Sequence, residues 1–372
     1  MLLVAAATLA ARPAVAQAPD LAASISRLAA LDYAARMGAA RQVRRAPAPE
    51  AVAALAEAAR SSQDQFVRYR ALVLVTGFNA RETPGLMRNL MDDRNDRVRE
   101  VAYRWFEQHP DPQMTAALLL KLDAEQAEFV RPALIRALAA TDEDVAVQRA
   151  LAAEIGRGLD FFRSAVIEAA GQAKARWAVA PLTALLEIDG PLRDDVVIAL
   201  GRIGDRQALP AIQALTNPRS EVAMAALAAR CLLGDDCAAQ VARLSEATGS
   251  RLASPEAVRA GTMALAAIGF EHESAVAALF ALLETPAVRS SAVAAIGTLA
   301  LREPQVFLAW LAGVPAPRQE AAVAVLREAF ERFEEDYAEE QFFAAARAAY
   351  WDAAEGSAAR TLMAGAIDKL DF

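Results

Sequence analysis

The chain reads as an all-α protein, a right-handed superhelical solenoid of about nine stacked helical hairpins. Three observations predict it. The composition is 55% hydrophobic and only 23% charged, with alanine dominating the apolar set, and alanine loses no side-chain entropy on entering a helix. No stretch of five or six residues alternates apolar and polar positions with β-branched enrichment, so strands have little support. A short pattern also recurs about every 31 residues, which is the mark of a stacked array.

The pattern is an apolar residue, an arginine, and a helical run with a small residue eight places after the arginine. It occurs at Val67-Arg68, Val98-Arg99, Val130-Arg131, Phe162-Arg163, Leu192-Arg193, Val258-Arg259 and Val288-Arg289, at spacings of 31, 32, 32, 30, 66 and 30. The wide gap holds a degenerate unit at 221–230, with Ala223 at or near the arginine position, and a ninth, divergent unit begins near Arg318. Four residues after the arginines come Leu72, Tyr103, Ile135, Ile167, Val197, Met263 and Val293; seven after come Val75, Phe106, Leu138, Ala170, Leu200, Ala266 and Ile296. Those offsets share one helical face, so the stripe is predicted to be buried. Offset eight carries Thr76, Glu107, Ala139, Gly171, Gly201, Ala267 and Gly297, six of the seven small or nearly so. Glycine costs about 1 kcal/mol in a helix interior, so its recurrence in phase points to close approach of a neighbouring helix.

A second helix precedes each of these, as at 178–187, 208–215 and 274–283, with Pro181 and Pro210 in the first turn, where a missing amide hydrogen costs little. Breakers such as Asp189-Gly190-Pro191 and Thr285-Pro286 separate the paired helices. A hairpin of this kind cannot bury its own apolar face, and stacking makes one continuous core. The predicted organisation is an export signal at 1–18, a capping helix and linker at 19–49, the solenoid at 50–335, and acidic, aromatic capping helices at 336–372.

Leu192-Arg-Asp-Asp-Val-Val-Ile-Ala-Leu-Gly-Arg-Ile-Gly-Asp205 carries the resemblance to a known family. It is similar to the HEAT-like repeat family, in the short form named after phycobilisome lyases, over about residues 50–335. The resemblance implies an α-α superhelix. It leaves function open, because unrelated activities share the repeat. It also implies that Arg68, Arg99, Arg131, Arg163, Arg193, Arg259 and Arg289 brace neighbouring repeats by bonding carboxylates or carbonyls near the inter-helix turn. Carboxylates placed for that role include Asp96, Asp160 and Asp189.

The first eleven residues are apolar but shorter than the roughly 20 that span a bilayer, and Ala14-Val15-Ala16 and Ala16-Gln17-Ala18 follow as small-x-small triplets. The segment reads as an export signal, and the protein is expected in the periplasm or otherwise outside the cytoplasm, the alternative being an ordinary Ala-rich helix of a cytoplasmic protein. Nothing later is long and apolar enough to be a transmembrane helix. Cys231 and Cys237 flank Leu-Leu-Gly-Asp-Asp. The Gly-Asp pair marks a chain reversal that could bring the cysteines within disulfide range, and a bridge is expected in an exported protein.

Net charge is −8, of which residues 320–372 contribute −7 from 12 acidic and 5 basic side chains, so the body is nearly neutral. A broad electropositive face is absent, which argues against nucleic-acid binding. The one basic cluster, Arg36, Arg41, Arg44 and Arg45, reads as a solvated helix face or linker. With only His109 and His272 in the chain, a di-iron centre of the deoxyhypusine hydroxylase kind lacks ligands and a nucleophilic triad is poorly supplied. Two cysteines without a histidine nearby in sequence do not make a zinc site, and no Gly-rich phosphate loop occurs. The export signal disfavours bilin lyase chemistry, which leaves no sharp motif. Catalytic, cofactor and metal residues are therefore not assigned.

The expected role is a non-catalytic scaffold that binds a protein partner, the alternative being a lyase-like or chaperone-like accessory factor that matures a client. In such solenoids the second helix of each pair lines the concave side. Off the buried stripe it carries Tyr69, Arg104, Arg136, Glu168 and Arg202, which mark the N-terminal half as the expected partner groove. The aromatic, acidic segment 330–351 is expected to cap the open end of the core.

Overall fold

The structure, a computed structural model, describes residues 20–370 apart from 188, 189, 191, 217–221, 270 and 271. The export signal expected at 1–18 and the brace carboxylate Asp189 lie outside the described residues. All regular structure within them is helical.

Two short helices, α1 (Leu21–Ser26) and α2 (Tyr33–Arg44), precede the array, so the N-terminal cap is a pair rather than one helix. Nine pairs follow: α3 (Ala48–Ser61) with α4 (Gln65–Thr76), α5 (Thr83–Leu90) with α6 (Asp96–Gln108), α7 (Thr115–Leu122) with α8 (Arg131–Ala139), α9 (Val145–Ile155) with α10 (Asp160–Gln172), α11 (Val179–Leu185) with α12 (Arg193–Ile203), α13 (Leu209–Ala214) with α14 (Ala223–Leu232), α15 (Cys237–Gly249) with α16 (Pro255–Ile268), α17 (Glu273–Leu282) with α18 (Pro286–Arg302), and α19 (Pro304–Gly313) with α20 (Ala316–Phe333). The chain ends in α21 (Asp336–Asp352) and α22 (Ala358–Leu370). No single described helix is long and apolar enough to cross a membrane.

Local chemistry sets the ends of these helices. Asp64, Asn95 and Asp144 each accept a first-turn amide of α4, α6 and α9, satisfying donors that the helix leaves orphaned. Gly204 ends α12 at a φ of 77°, a left-handed conformation that glycine adopts without strain. The second helix of each pair packs on the second helix of the next, from α4 through α20.

That contact is where the small residues sit. A Cβ on Gly171 would lie 2.9 Å from Ala199 Cα, and one on Gly201 would lie 2.7 Å from Ala229 Cα. Both partners are backbone atoms of the next unit, so the helices would have to separate. Gly201→Val is expected to cost about 2 kcal/mol or more through overpacking, with Gly38→Val, which meets nothing within 4 Å, as the control in parallel urea unfolding.

The offset-four and offset-seven stripe is buried in the first five units and the eighth. In α16 it is not. Met263 and Arg259 are exposed and Ala266 is half-buried, while Val258, Thr262 and Leu265 are buried. The seventh unit is thus one residue out of the register expected from Arg259, and that residue does not brace the array. Arg68, Arg99, Arg131 and Arg289 cross-link to the next unit, and Arg163 bonds within its own hairpin. Arg68 donates to Ala59 O (3.0 Å) and to the Asp93 carboxylate. Arg99 holds Glu125 through two bonds of 2.8 and 3.0 Å. Arg131 donates to Glu125 O (2.9 Å) and to Glu154 (2.7 Å), Arg163 to Ile155 O (2.9 Å) and Asp160 (2.8 Å), and Arg289 to both oxygens of Glu328. Arg193 opens α12. For four of the braces the carboxylate comes from further downstream, at Asp93, Glu125, Glu154 and Glu328, and of the residues named in advance Asp160 alone bonds a repeat arginine.

Candidate functional site

The two ends of the array are bridged by the chain itself. After α20 the backbone turns at Glu334, and α21 runs back to pack on α18, α19 and α4. Its apolar face meets the last unit: Phe342 and Phe343 are fully buried with Phe307 and Phe330, at ring separations of 5.5–6.2 Å. Its acidic face meets the first units. Arg36 Nη2 donates to Glu334 (2.9 Å), and Arg44 Nη2 to Glu340 (2.6 Å). Arg70 Nε donates to Asp336 (3.0 Å), the Tyr33 hydroxyl to Glu339 (2.9 Å), and Gln341 Nε2 to Thr76 Oγ1 (2.8 Å). The solenoid therefore closes on itself, with the first two units and the N-terminal cap clamped to the C-terminal segment.

This geometry corrects two expectations. The basic cluster at 36–45 is not a solvated face: Arg36 and Arg44 are largely buried and neutralise the acidic tail. The groove expected in the N-terminal half is not open. Tyr69 is 7% exposed. Arg104 bonds Glu335 (3.1 Å) and lies 4.4 Å from the Tyr337 ring centroid. Arg136 pairs with Glu107 of the preceding unit (3.1 Å), and Glu168 pairs across the hollow with Arg302 (2.6 Å). Burial, then the neighbouring Arg302, lowers the pKa of Arg202 from its ordinary value. Of the five, Arg104 bonds the protein's own tail, Glu168 a later unit and Arg136 an earlier one.

Within the clamp, burial pushes the Glu339 carboxyl up to about 8; the Tyr33 hydroxyl opposes this, while Asp336 adds to it. The closed form thus favours the protonated acid. This group's contribution is complete below the unfolded carboxyl range near about 4.3 and is lost as pH rises through about 8. Glu339→Gln is expected to flatten that loss. Melting curves between pH 5 and 9 should fall less steeply for the variant than for the parent, and parallel curves would show that the group is not coupled to closure.

One edge of the array is different. Consecutive second helices lie side by side, so their first turns line a common edge. Residues two places before the repeat arginine stand there, and Phe66, Phe129 and Phe161 at that phase are 45%, 48% and 52% exposed. Exposed Leu159 extends the row. In the second unit the position is Arg97, whose guanidinium lies 5.6 Å from the Tyr69 ring centroid. An open, mostly polar hollow of about 440 Å³ lies on the same edge between the first two units, lined by Arg60, Arg68, Asp92 and Arg94 among others. Phasing on the buried stripe passed over these phenylalanines. The signal was present at offset minus two.

Cys231 and Cys237 are joined in a disulfide across the turn between α14 and α15. His272, 35 residues on in sequence, brings Nδ1 to 3.6 Å from Cys237 Sγ. With the sulfurs joined to each other, neither is a thiolate donor. The other histidine, His109, ends α6 and stacks on Trp105 at 4.3 Å.

The fold and these surfaces define an all-α solenoid of helical hairpins closed by its own C-terminal helix. No protein-family model matches the chain, and neither does any curated protein. Among solved structures it is similar to the CpcE–CpcF complex of phycocyanin lyase from a Nostoc species, at 19% identity over 68% of this chain and 96% of that one, with a TM-score of 0.44. It is also similar to human deoxyhypusine hydroxylase, at 21% identity over 67% and 96% of the two chains and a TM-score of 0.31. Kap121p matches at 15% identity over 94% of this chain and 44% of that one, with a TM-score of 0.43.

Proposed function

We propose that the protein is an exported, non-catalytic scaffold that binds a protein through the edge carrying Phe66, Phe129, Leu159 and Phe161. The observation that carries this reading is the recurrence of half-exposed phenylalanine at one repeat phase. Scattered apolar residues on a surface need no explanation, whereas a row in register forms a patch that water does not favour and a partner can cover. α21 lies against α4, α18 and α19, whereas the edge phenylalanines remain half-exposed and open to a partner. Export is supported by the apolar start and its small-x-small triplets, and a disulfide suits an oxidising compartment.

The test places a photo-crosslinking amino acid at Phe129, at Phe161 and at exposed Arg149 on α9, in the full chain expressed in its own cells. Discrete protein adducts are expected from the first two positions and none from the third. Phe129→Ser with Phe161→Ser should abolish a partner's co-purification while leaving the melting temperature within about 2 °C, because half-exposed side chains carry little folding energy. Equal adducts at all three positions, or none at the phenylalanines, would sink the edge reading. Fractionation with N-terminal sequencing checks export, with cleavage expected after Ala16 or Ala18.

A further inference from the structure

We propose that the Cys231–Cys237 disulfide is a thiol–disulfide exchange site, with Cys237 the reacting sulfur, His272 its positioning partner, Cys231 the leaving thiol, and a protein or peptide dithiol the substrate class. The two sulfurs are built differently. Cys231 is 2% exposed at the end of α14 among core residues. Cys237 is half-buried and is the first residue of α15, a 13-residue helix, where free backbone amides favour a negative sulfur. His272 approaches this same sulfur at 3.6 Å from the start of α17, which packs on α15. A ring nitrogen beside a sulfur at a helix N-terminus is placed to hydrogen-bond the thiolate, which favours the reduced form and makes the disulfide an oxidant.

Acidic neighbours oppose this, and the structure ties them elsewhere. Asp235 accepts from Arg230 Nε (2.7 Å) and Gln213 Nε2 (3.2 Å). Asp236 caps the helix through Ala239 N (3.2 Å). Glu273, next to His272, lies 3.8 Å from Arg318. Arg206 on the preceding unit adds a positive charge near Gly234.

In the exchange a substrate thiolate attacks Cys237 Sγ. The Cys231–Cys237 bond breaks, Cys231 leaves as a thiolate and takes a proton, and a mixed disulfide joins the substrate to Cys237. The second substrate thiolate attacks the substrate sulfur of that bond, and Cys237 leaves as a thiolate beside His272. Two electrons pass from the substrate dithiol, which ends as a disulfide, to the protein, which ends as a dithiol. This chemistry is independent of what the phenylalanine edge binds.

The test uses the full chain. In Cys231→Ser, the pH profile of iodoacetamide alkylation at Cys237 should have its midpoint below about 7, against about 8.5 for a free thiol. Adding His272→Gln should move the midpoint up by about one pH unit or more, with circular dichroism checking the fold of both variants. Oxidised parent protein mixed with a reduced two-cysteine peptide should convert about one equivalent to the disulfide, and Cys237→Ser should convert none. A midpoint near 8.5 that His272→Gln leaves in place, or a parent disulfide that survives excess peptide dithiol, makes the bridge a structural staple and overturns the proposal. So does retention of one zinc ion by the reduced parent through gel filtration, which would make the three side chains a metal site instead.

Discussion

Phe342→Ala is expected to destabilise the closed solenoid by about 3–5 kcal/mol and to release α21 before anything else. Phe342 is fully buried and lies 5.5 Å from the Phe330 ring, edge to face, and 6.0 Å from Phe307. Those rings belong to the last hairpin, so the truncation opens a cavity between that hairpin and α21. The buried cluster running from α1 to α14 takes in Tyr337 of α21 but none of these phenylalanines. The N-terminal units should therefore keep their helices while α21 and α22 lose theirs. Hydrogen exchange read by mass spectrometry distinguishes this outcome. Amides of α21 should lose protection first, along with the faces of α2 and α4 that α21 covers. Uniform loss along the array would mean that closure and stacking form one cooperative unit, contrary to the nearest-neighbour behaviour expected of repeats.

The repeat was legible because its causes are local. The buried stripe at offsets four and seven, the glycines at offset eight and the proline breakers all act within one unit or between adjacent ones, and a period exposes them. The exception in α16 is also physical. α15 has 13 residues where α11 and α13 have 7 and 6, and beyond it Arg259 resembles its counterparts in sequence only. Closure was not legible. Tyr33 and Glu339 are 306 residues apart, Arg36 and Glu334 298, and Arg44 and Glu340 296. Both the basic cluster and the acidic tail stood out by composition, yet nothing local joins them, because how far the superhelix curls is set by many small rotations between units. His272 was hidden from the cysteines in the same way. A stack brings residues about one period apart together, and the 35 residues between Cys237 and His272 exceed the period slightly.

Arg44→Met should cost about 3 kcal/mol, far above a surface ion pair, and the loss should be largely recovered by Glu340→Gln in the same chain. The Glu340 side chain is 1% exposed and accepts from Arg44 Nε and Nη2 (2.8 and 2.6 Å) and from Arg347 Nη2 (2.9 Å). Removing the Arg44 guanidinium leaves a buried carboxylate with Arg347 as its remaining cation in these pairs, and an under-compensated buried charge costs about 3–5 kcal/mol. Arg347 places the expectation at the lower end. A glutamine at 340 needs no counter-ion, so the double variant removes the penalty together with the attraction, and the coupling energy of the cycle should be about 2 kcal/mol or more. An exposed pair would give less than about 1 kcal/mol and would weaken further in salt. The cycle thus measures whether the N-terminal cap is held by a desolvated ion pair or only rests against the tail. In the first case, a partner that pulled α21 from the groove would leave Glu340 free to meet water while Arg44, Arg70 and Arg104 faced an open concave side. The groove read from the sequence would then exist only in the opened form, and the depth of the Arg44–Glu340 coupling sets how much binding energy that opening demands.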